Sequence, residues 1–144
     1  MRPNRHILIV GDKPGCQEPA MRALLDNAVQ VRIEIAQGIS QALAWLRGEG
    51  VHAGRDMRQM PAAVVLDLSP PDYPGLGVLA QMRSHPGTHA VPVVVLAPAD
   101  DAAVIARSYE MGANSVLLKT ADAARLAEMM RRMQAYWLQI NETV

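Results

Sequence analysis

The 144-residue chain contains no phenylalanine, and its aromatic residues are two Trp and three Tyr. A flavin site, which needs aromatic faces to stack the ring, has little to build on. The one cysteine, Cys16, has no partner for an internal disulfide, and no Ser, His or Lys around it forms an activating pattern for a nucleophilic thiol. Neither sign of charge is in excess: fourteen Lys and Arg balance fourteen Asp and Glu, and they are scattered. That removes the cationic field needed to hold nucleic acid or anionic lipid by charge. Long hydrophobic runs are also missing. The apolar stretch from His6 to Val10 is far too short to cross a bilayer. No cationic, apolar, small-residue series resembles a signal peptide, so the expected location is the cytoplasm.

Half the residues are apolar, with many Ala and nine Met, which suits a helix-rich α/β core packed with aliphatic and thioether groups. A chain of this length buries roughly 70% of its extended surface as one domain, without disulfide or metal. One domain over residues 1–144, with its core at about 5–140, is expected.

Ala62-Ala63-Val64-Val65-Leu66-Asp67 runs apolar into a carboxylate and then turns at Pro70-Pro71. Such a run marks a strand buried on both faces, with Asp67 at its carboxyl end. His6 to Val10 does the same and ends in Gly11-Asp12, and Val91 to Ala97 is a third run with Pro92 confined to its start. Ser115 to Lys119 is a fifth strand ending in a lysine. Val31-Arg32-Ile33-Glu34-Ile35 alternates instead, as at a sheet edge.

Helical spacing fills the intervals. A first helix starts close to Pro19, with Met21, Leu24, Leu25 and Ala28 on one face. A second, Ser40 to Arg47, stops at Gly48 and Gly50, followed by an exposed loop through Met60. A third carries Leu76, Leu79, Ala80 and Met82 and ends before Pro86-Gly87. The fourth spans Asp100 to Gly112, with Val104, Ile105, Ser108 and Met111 inward. The fifth, about Asp122 to Ile140, puts Leu126, Met129, Met130, Met133, Trp137 and Ile140 on one stripe.

Five βα units with short connections predict a doubly wound α/β fold with a parallel sheet between two helical layers, and the edge character of strand two favours the order 2-1-3-4-5. Strands one and three are then neighbours about 5 Å apart, so Asp12 and Asp67 meet where the strand order reverses, and Lys119 reaches toward them from the fifth strand. Two carboxylates that close repel unless a cation lies between them, and oxygen ligands completed by water are what Mg²⁺ prefers.

In Ile7-Leu-Ile-Val-Gly-Asp12, Val64-Val-Leu-Asp67-Leu-Ser-Pro-Pro, Gly75-Leu-Gly-Val-Leu, Pro92-Val-Val-Val-Leu96, Gly112-Ala-Asn114 and Leu117-Leu-Lys119, the chain resembles the receiver domain of bacterial two-component response regulators over its whole length. The long loop before strand three and the Tyr136-Trp137-Leu138 ending look like single-domain receivers that partner phytochrome-type histidine kinases. The resemblance implies a flavodoxin-like fold and a signalling role in a phosphorelay, with no enzymatic turnover beyond the domain's own phosphotransfer. By it, Asp67 is the phosphoacceptor and Lys119 pairs with the phosphoryl oxygens. Asp12, Asp67 and the backbone carbonyl of Ser69 hold Mg²⁺. Carboxylate, divalent ion and ammonium suit phosphoryl transfer, which needs positioning and charge neutralisation more than covalent machinery. The face of the fourth helix, fifth strand and fifth helix is implied for a protein target or a second copy, with Tyr109 and Tyr136 as candidates there and Trp137 a candidate either for that patch or for the core.

Several positions depart from the family pattern. Gly11 stands where the family has the first of two adjacent acids, so Mg²⁺ is expected to bind weakly. Ala97 replaces a Ser or Thr hydroxyl and Pro98 removes the following N–H, both donors to the phosphoryl group in the family. Each such charge-assisted bond is worth on the order of 1.5–3 kcal/mol. Val116 occupies the place of the aromatic residue that turns inward on activation. Thr120 follows the lysine where most members have a cis proline, so a trans bond is expected, with Thr120 or Asp122 capping the fifth helix. The expectation is an atypical receiver, weakly phosphorylated, or else a binding module that needs no phosphate.

Other motifs carry less. Gly75-x-Gly77-x-x-Ala80 mimics a dinucleotide fingerprint but follows a proline-rich turn, not the first strand of a βαβ unit. His85 and His89 have helical ligand spacing but are separated by Pro86-Gly87. A flavodoxin-like flavin or nucleotide enzyme is the alternative from another class, although Gly11-Asp-Lys-Pro-Gly15 offers little to cradle phosphate. A phosphatase using Asp67 lacks an acid two residues on, where Ser69 stands.

Overall fold

The computed structural model describes residues 6–11, 18–25, 32–57, 59–98 and 101–141. The apolar runs form β1 (His6–Gly11), β3 (Ala63–Asp67) and β4 (Val93–Ala97), and every residue in them is buried because helices cover both faces. β2 (Arg32–Gln37) and β5 (Ser115–Leu118) are the partly exposed edges. The five strands pair in parallel in the order β2-β1-β3-β4-β5, as the hydrophobic pattern predicts. The register sets Gly11 opposite Asp67 and Ala97 opposite Leu118, so the carboxyl ends of β1, β3, β4 and β5 form one rim.

Alternation along the strands divides the core in two. Leu8, Val10, Val64, Leu66 and Val95 face the layer of α2 (Gly38–Arg47), α3 (Leu76–Ser84) and α4 (Ala102–Glu110). Ile7, Ile9, Val65, Val94 and Leu96 face α1 (Glu18–Leu25) and α5 (Ala123–Ala135). Met130 and Met133 lie in this second layer and Met129 packs against it, so the methionines of the last helix are core.

Helix ends follow local chemistry. Pro19 sits in the first turn of α1, where its missing N–H costs nothing. Gly48 ends α2 in the left-handed conformation (φ 65°), returning its N–H to Ala44 and Trp45 carbonyls. Asp101 caps α4 by accepting from the Val104 N–H at 3.1 Å, and Asp122 caps α5 by accepting from the Arg125 N–H at 3.1 Å.

Some sequence expectations are corrected. α1 buries Ala20, Ala23 and Leu24, leaving Leu25 in solvent, because a helix this short presents a narrow inward stripe to α5. α2 begins at Gly38, ahead of Ser40, with the Gln37 N–H donating to Gln41 Oε1 at 3.0 Å. α3 buries Val78 and exposes Ala80. α4 begins at Ala102 because Asp101 serves as its cap. The last helix leaves α geometry at Tyr136 for a π turn through Ile140, which keeps Trp137 buried and turns Ile140 outward. Ala28 lies outside the described residues.

Two arginines tie down the connections. The loop through Met60, expected to be exposed, contains a 3₁₀ turn at Gly50–His52, and its described residues gather around Arg55. That guanidinium lies 3.9 Å over the Trp45 ring and donates to the carbonyls of Trp45, Leu46 and Gln59 at 2.9–3.2 Å. Arg83, on α3, donates to the carbonyls of Gly112, His89 and Val91 and to Asn114 Oδ1, while Asn114 Oδ1 also accepts from the Val93 N–H. Arg83→Met is expected to cost about 2–3 kcal/mol in urea unfolding, since several carbonyl acceptors lose a charged donor together. Arg83→Lys recovers only part, because one ammonium cannot span the same fork of acceptors.

Candidate functional site

Asp67 is the last residue of β3, between Gly11 of β1 and Leu96 of β4, and it is only 3% exposed. A carboxylate buried that far needs a cation or several donors to stay charged. Lys119 provides one. Its backbone N–H bonds to the Ala97 carbonyl at 2.8 Å, which fixes its stem beside the end of β4. Its ammonium forms an ion pair with Asp67 Oδ1 and donates to the Leu68 carbonyl. The Lys119 side chain remains 31% exposed, so the pair sits at the bottom of a rim open to solvent.

The loop after Asp67 is held on both sides. The Leu68 N–H continues the sheet by bonding to the Leu96 carbonyl at 3.0 Å, and Leu68 is fully buried. Ser69 is half-buried, and the Pro70–Pro71 bond is cis. Tyr73, with a positive φ of 48°, packs its ring against the α2, α3 and α4 layer and donates its hydroxyl to Asp101 Oδ2 at 2.5 Å. Sequence reasoning missed this contact.

The phenol holds the Asp101 carboxyl below the usual carboxylate range, helped by the Val104 N–H, and the same bond raises the Tyr73 hydroxyl. A carboxyl depressed on folding contributes stability above its unfolded pKa and loses it as pH falls through its folded pKa. Tyr73→Phe is therefore expected to move the Asp101 titration up toward the ordinary range. The variant then gives up the cap of α4 at a higher pH than the parent; carboxyl NMR titration checks it.

The family model described as response regulator receiver domain matches residues 7–131. The chain belongs to that family. Response regulator Rcp1 of Synechocystis sp. is 26% identical over 137 residues, covering 95% of this chain and 91% of Rcp1. The crystal structure of the phosphorylated cyanobacterial phytochrome response regulator RcpA has a TM-score of 0.81 at 25% identity, covering 96% of this chain and 98% of that one. The Mn²⁺-bound form of Rcp1 has a TM-score of 0.80 at 25% identity, covering 97% and 99%.

Within this receiver, the described positions expected to depart from the family pattern after β1 lie on β4, on β5 and in the segments that follow them. Ala97 closes β4 fully buried, and Pro98 follows it with no N–H. Val116 packs against the α2, α3 and α4 layer, and its outward N–H donates to the Tyr109 hydroxyl at 3.1 Å, which covers part of the β5 edge. Pro70–Pro71 is the one cis bond among the described residues, so Lys119–Thr120 is trans, as expected. Thr120 Oγ1 accepts from the Asp122 N–H at 3.1 Å, leading the chain into the Asp122 cap.

Asp12 lies outside the described residues; β1 ends at the preceding Gly11, the partner of Asp67. Cys16 also lies outside them. The Asp67 carboxylate and the Ser69 carbonyl are hard oxygen donors that fit Mg²⁺ in kind. Among the described residues no three His, Cys, Asp or Glu side chains gather as a metal site.

The competing motifs resolve structurally. A Cβ at Gly77 would lie 2.9 Å from Ile39 Cδ1, so this glycine allows α2 and α3 to approach. His85 caps its own turn, Nδ1 accepting from the Gly87 N–H at 3.1 Å beyond the end of α3.

Proposed function

We propose that this receiver accepts a phosphoryl group on Asp67 from a histidine kinase and signals by binding another protein. The observation that carries the reading is the buried Asp67 carboxylate at the strand rim with the Lys119 ammonium on it. An Asp67 oxygen attacks the phosphorus of a phosphohistidine. The N–P bond breaks with its electron pair returning to the imidazole, which takes a proton from water, and an acyl phosphate remains. Lys119 turns to the phosphoryl oxygens. Asp12, Asp67 and the Ser69 carbonyl would hold Mg²⁺, which when bound would supply charge neutralisation for the transfer, and Gly11, by withholding an outer carboxylate, would make that binding weak. The Mn²⁺-bound form of Rcp1 and the phosphorylated RcpA support this assignment of ion and modification.

The kinase is of phytochrome type by the same likeness, RcpA being a phytochrome response regulator. Residues 1–144 form one receiver domain that performs only its own phosphotransfer, and its place is the cytoplasm, where the histidine kinases of such systems present their phosphohistidine. Its output face is α4, β5 and α5, where Tyr109 and Tyr136 are exposed, and it serves a protein target or a second copy.

Acetyl phosphate with Mg²⁺, followed by intact-mass and Phos-tag analysis, tests the transfer. A single adduct is expected, absent in Asp67→Asn. If the parent takes no adduct, the second reading holds: a binding module independent of phosphate, which the missing donors at Ala97 and Pro98 favour.

A further inference from the structure

The Lys119 ammonium rests on two acceptors at once, the Asp67 carboxylate and the Leu68 carbonyl. Leu68 opens the 68–75 loop between β3 and α3. Near the far end of that loop, Tyr73 donates its hydroxyl to Asp101 Oδ2, while Asp101 Oδ1 accepts from the Val104 N–H and starts α4. One lysine therefore holds the loop where it leaves the phosphoacceptor, and one phenol fastens it to the cap of a helix on the other side of the rim.

We propose that the Tyr73–Asp101 hydrogen bond is the link through which the state of Asp67 reaches α4, a regulation of the proposed phosphoacceptor site that rests on that reading. The hydroxyl and aromatic ring that the family resemblance implies for this task are absent, their places held by Ala97 and Val116. Both are apolar side chains with no hydrogen to donate, so no bond between them can form or break.

Phosphorylation replaces the Asp67 carboxylate by an acyl phosphate whose negative charge lies farther out, on the phosphoryl oxygens. The ammonium follows that charge, and the Leu68 carbonyl loses its cation. The loop is poised to respond because Tyr73 sits at φ 48°, a region that costs a non-glycine residue free energy and persists only where neighbours hold it. Those neighbours are the Asp101 carboxylate and the layer that includes Val104. Because the phenol and the Val104 N–H share one carboxylate, Tyr73 cannot shift without altering the cap of α4.

A double-variant cycle tests the link without needing phosphate. Amide hydrogen exchange of α4, Val104 above all, is measured in the parent, Lys119→Met, Tyr73→Phe and the double variant, relative to the core amide of Leu66, which reports global opening. Lys119→Met is expected to change exchange in the first turn of α4 about fivefold when the Tyr73 hydroxyl is present, the scale of one hydrogen bond, and less than twofold in the Tyr73→Phe background. An equal change in both backgrounds, or no change in α4 with Lys119→Met, would overturn the proposal. Failure here leaves the Asp67 adduct intact, whereas failure of the phosphoacceptor reading removes the adduct and leaves this cycle unchanged, so the two are separately visible.

Discussion

Lys119→Met is expected to lower the unfolding free energy by about 2–3 kcal/mol, read from the urea midpoint at constant slope. Methionine keeps the apolar stem but removes the ammonium, so the Asp67 carboxylate and the Leu68 carbonyl both lose that charged donor. Breaking a fully buried ion pair by deleting one partner costs about 3–5 kcal/mol. The smaller figure follows from the 31% exposure of the lysine side chain, which lets water reach the rim. The sign of a second substitution separates charge from packing. Asp67→Asn added to Lys119→Met removes the buried carboxylate charge that the ammonium had balanced and is expected to recover most of the loss. If the double variant is as unstable as the single one, the lysine stem rather than its charge supports the rim.

The sheet was legible because its three central strands are uninterrupted apolar runs, a pattern only two-sided burial explains, and the alternating second strand marked the edge. Asp67 and Lys119 were legible for the same reason, since a residue at the end of a recognised strand inherits a place on the rim. Tyr73 was not. Its bond to Asp101 joins residues 28 apart and depends on the path of a loop that no periodicity describes. Arg55 and Arg83 escaped notice on chemical grounds: their acceptors are mainly backbone carbonyls, which every residue carries, so no complementary side chain announces them. The misplaced Leu25 and Ile140 share another cause. Helical spacing gives the direction of a face but not its width or the point where the helix changes pitch, and both residues lie at the ends of their elements. Asp12, the other acid expected at the rim, lies outside the described residues.

At the end of β4, Ala97 offers no hydroxyl and Pro98 no N–H, and supplying these two donors is expected to strengthen binding of a phosphoryl group at Asp67 sharply. Ala97→Ser returns a hydroxyl and Pro98→Ala returns an N–H, at positions where β4 ends beside Asp67. Each restored charge-assisted bond is worth about 1.5–3 kcal/mol, so each substitution is expected to raise the affinity for beryllofluoride, a phosphoryl mimic, by about 10- to 100-fold in calorimetric titration with Mg²⁺. Ala97 is fully buried, so without the phosphoryl group the serine hydroxyl has a desolvation cost, and the ligand-free Ala97→Ser protein is expected to be less stable by about 1 kcal/mol. Opposite signs in the two states distinguish restored recognition from a general tightening of the fold. Gly11→Asp acts on the other expected deficit, the missing outer carboxylate, and should lower the Mg²⁺ concentration needed for half-saturation without that stability penalty. If Gly11→Asp alone gives the full gain and the β4 substitutions give none, the carboxylate absent at position 11 governs the affinity, and the donors absent at Ala97 and Pro98 do not.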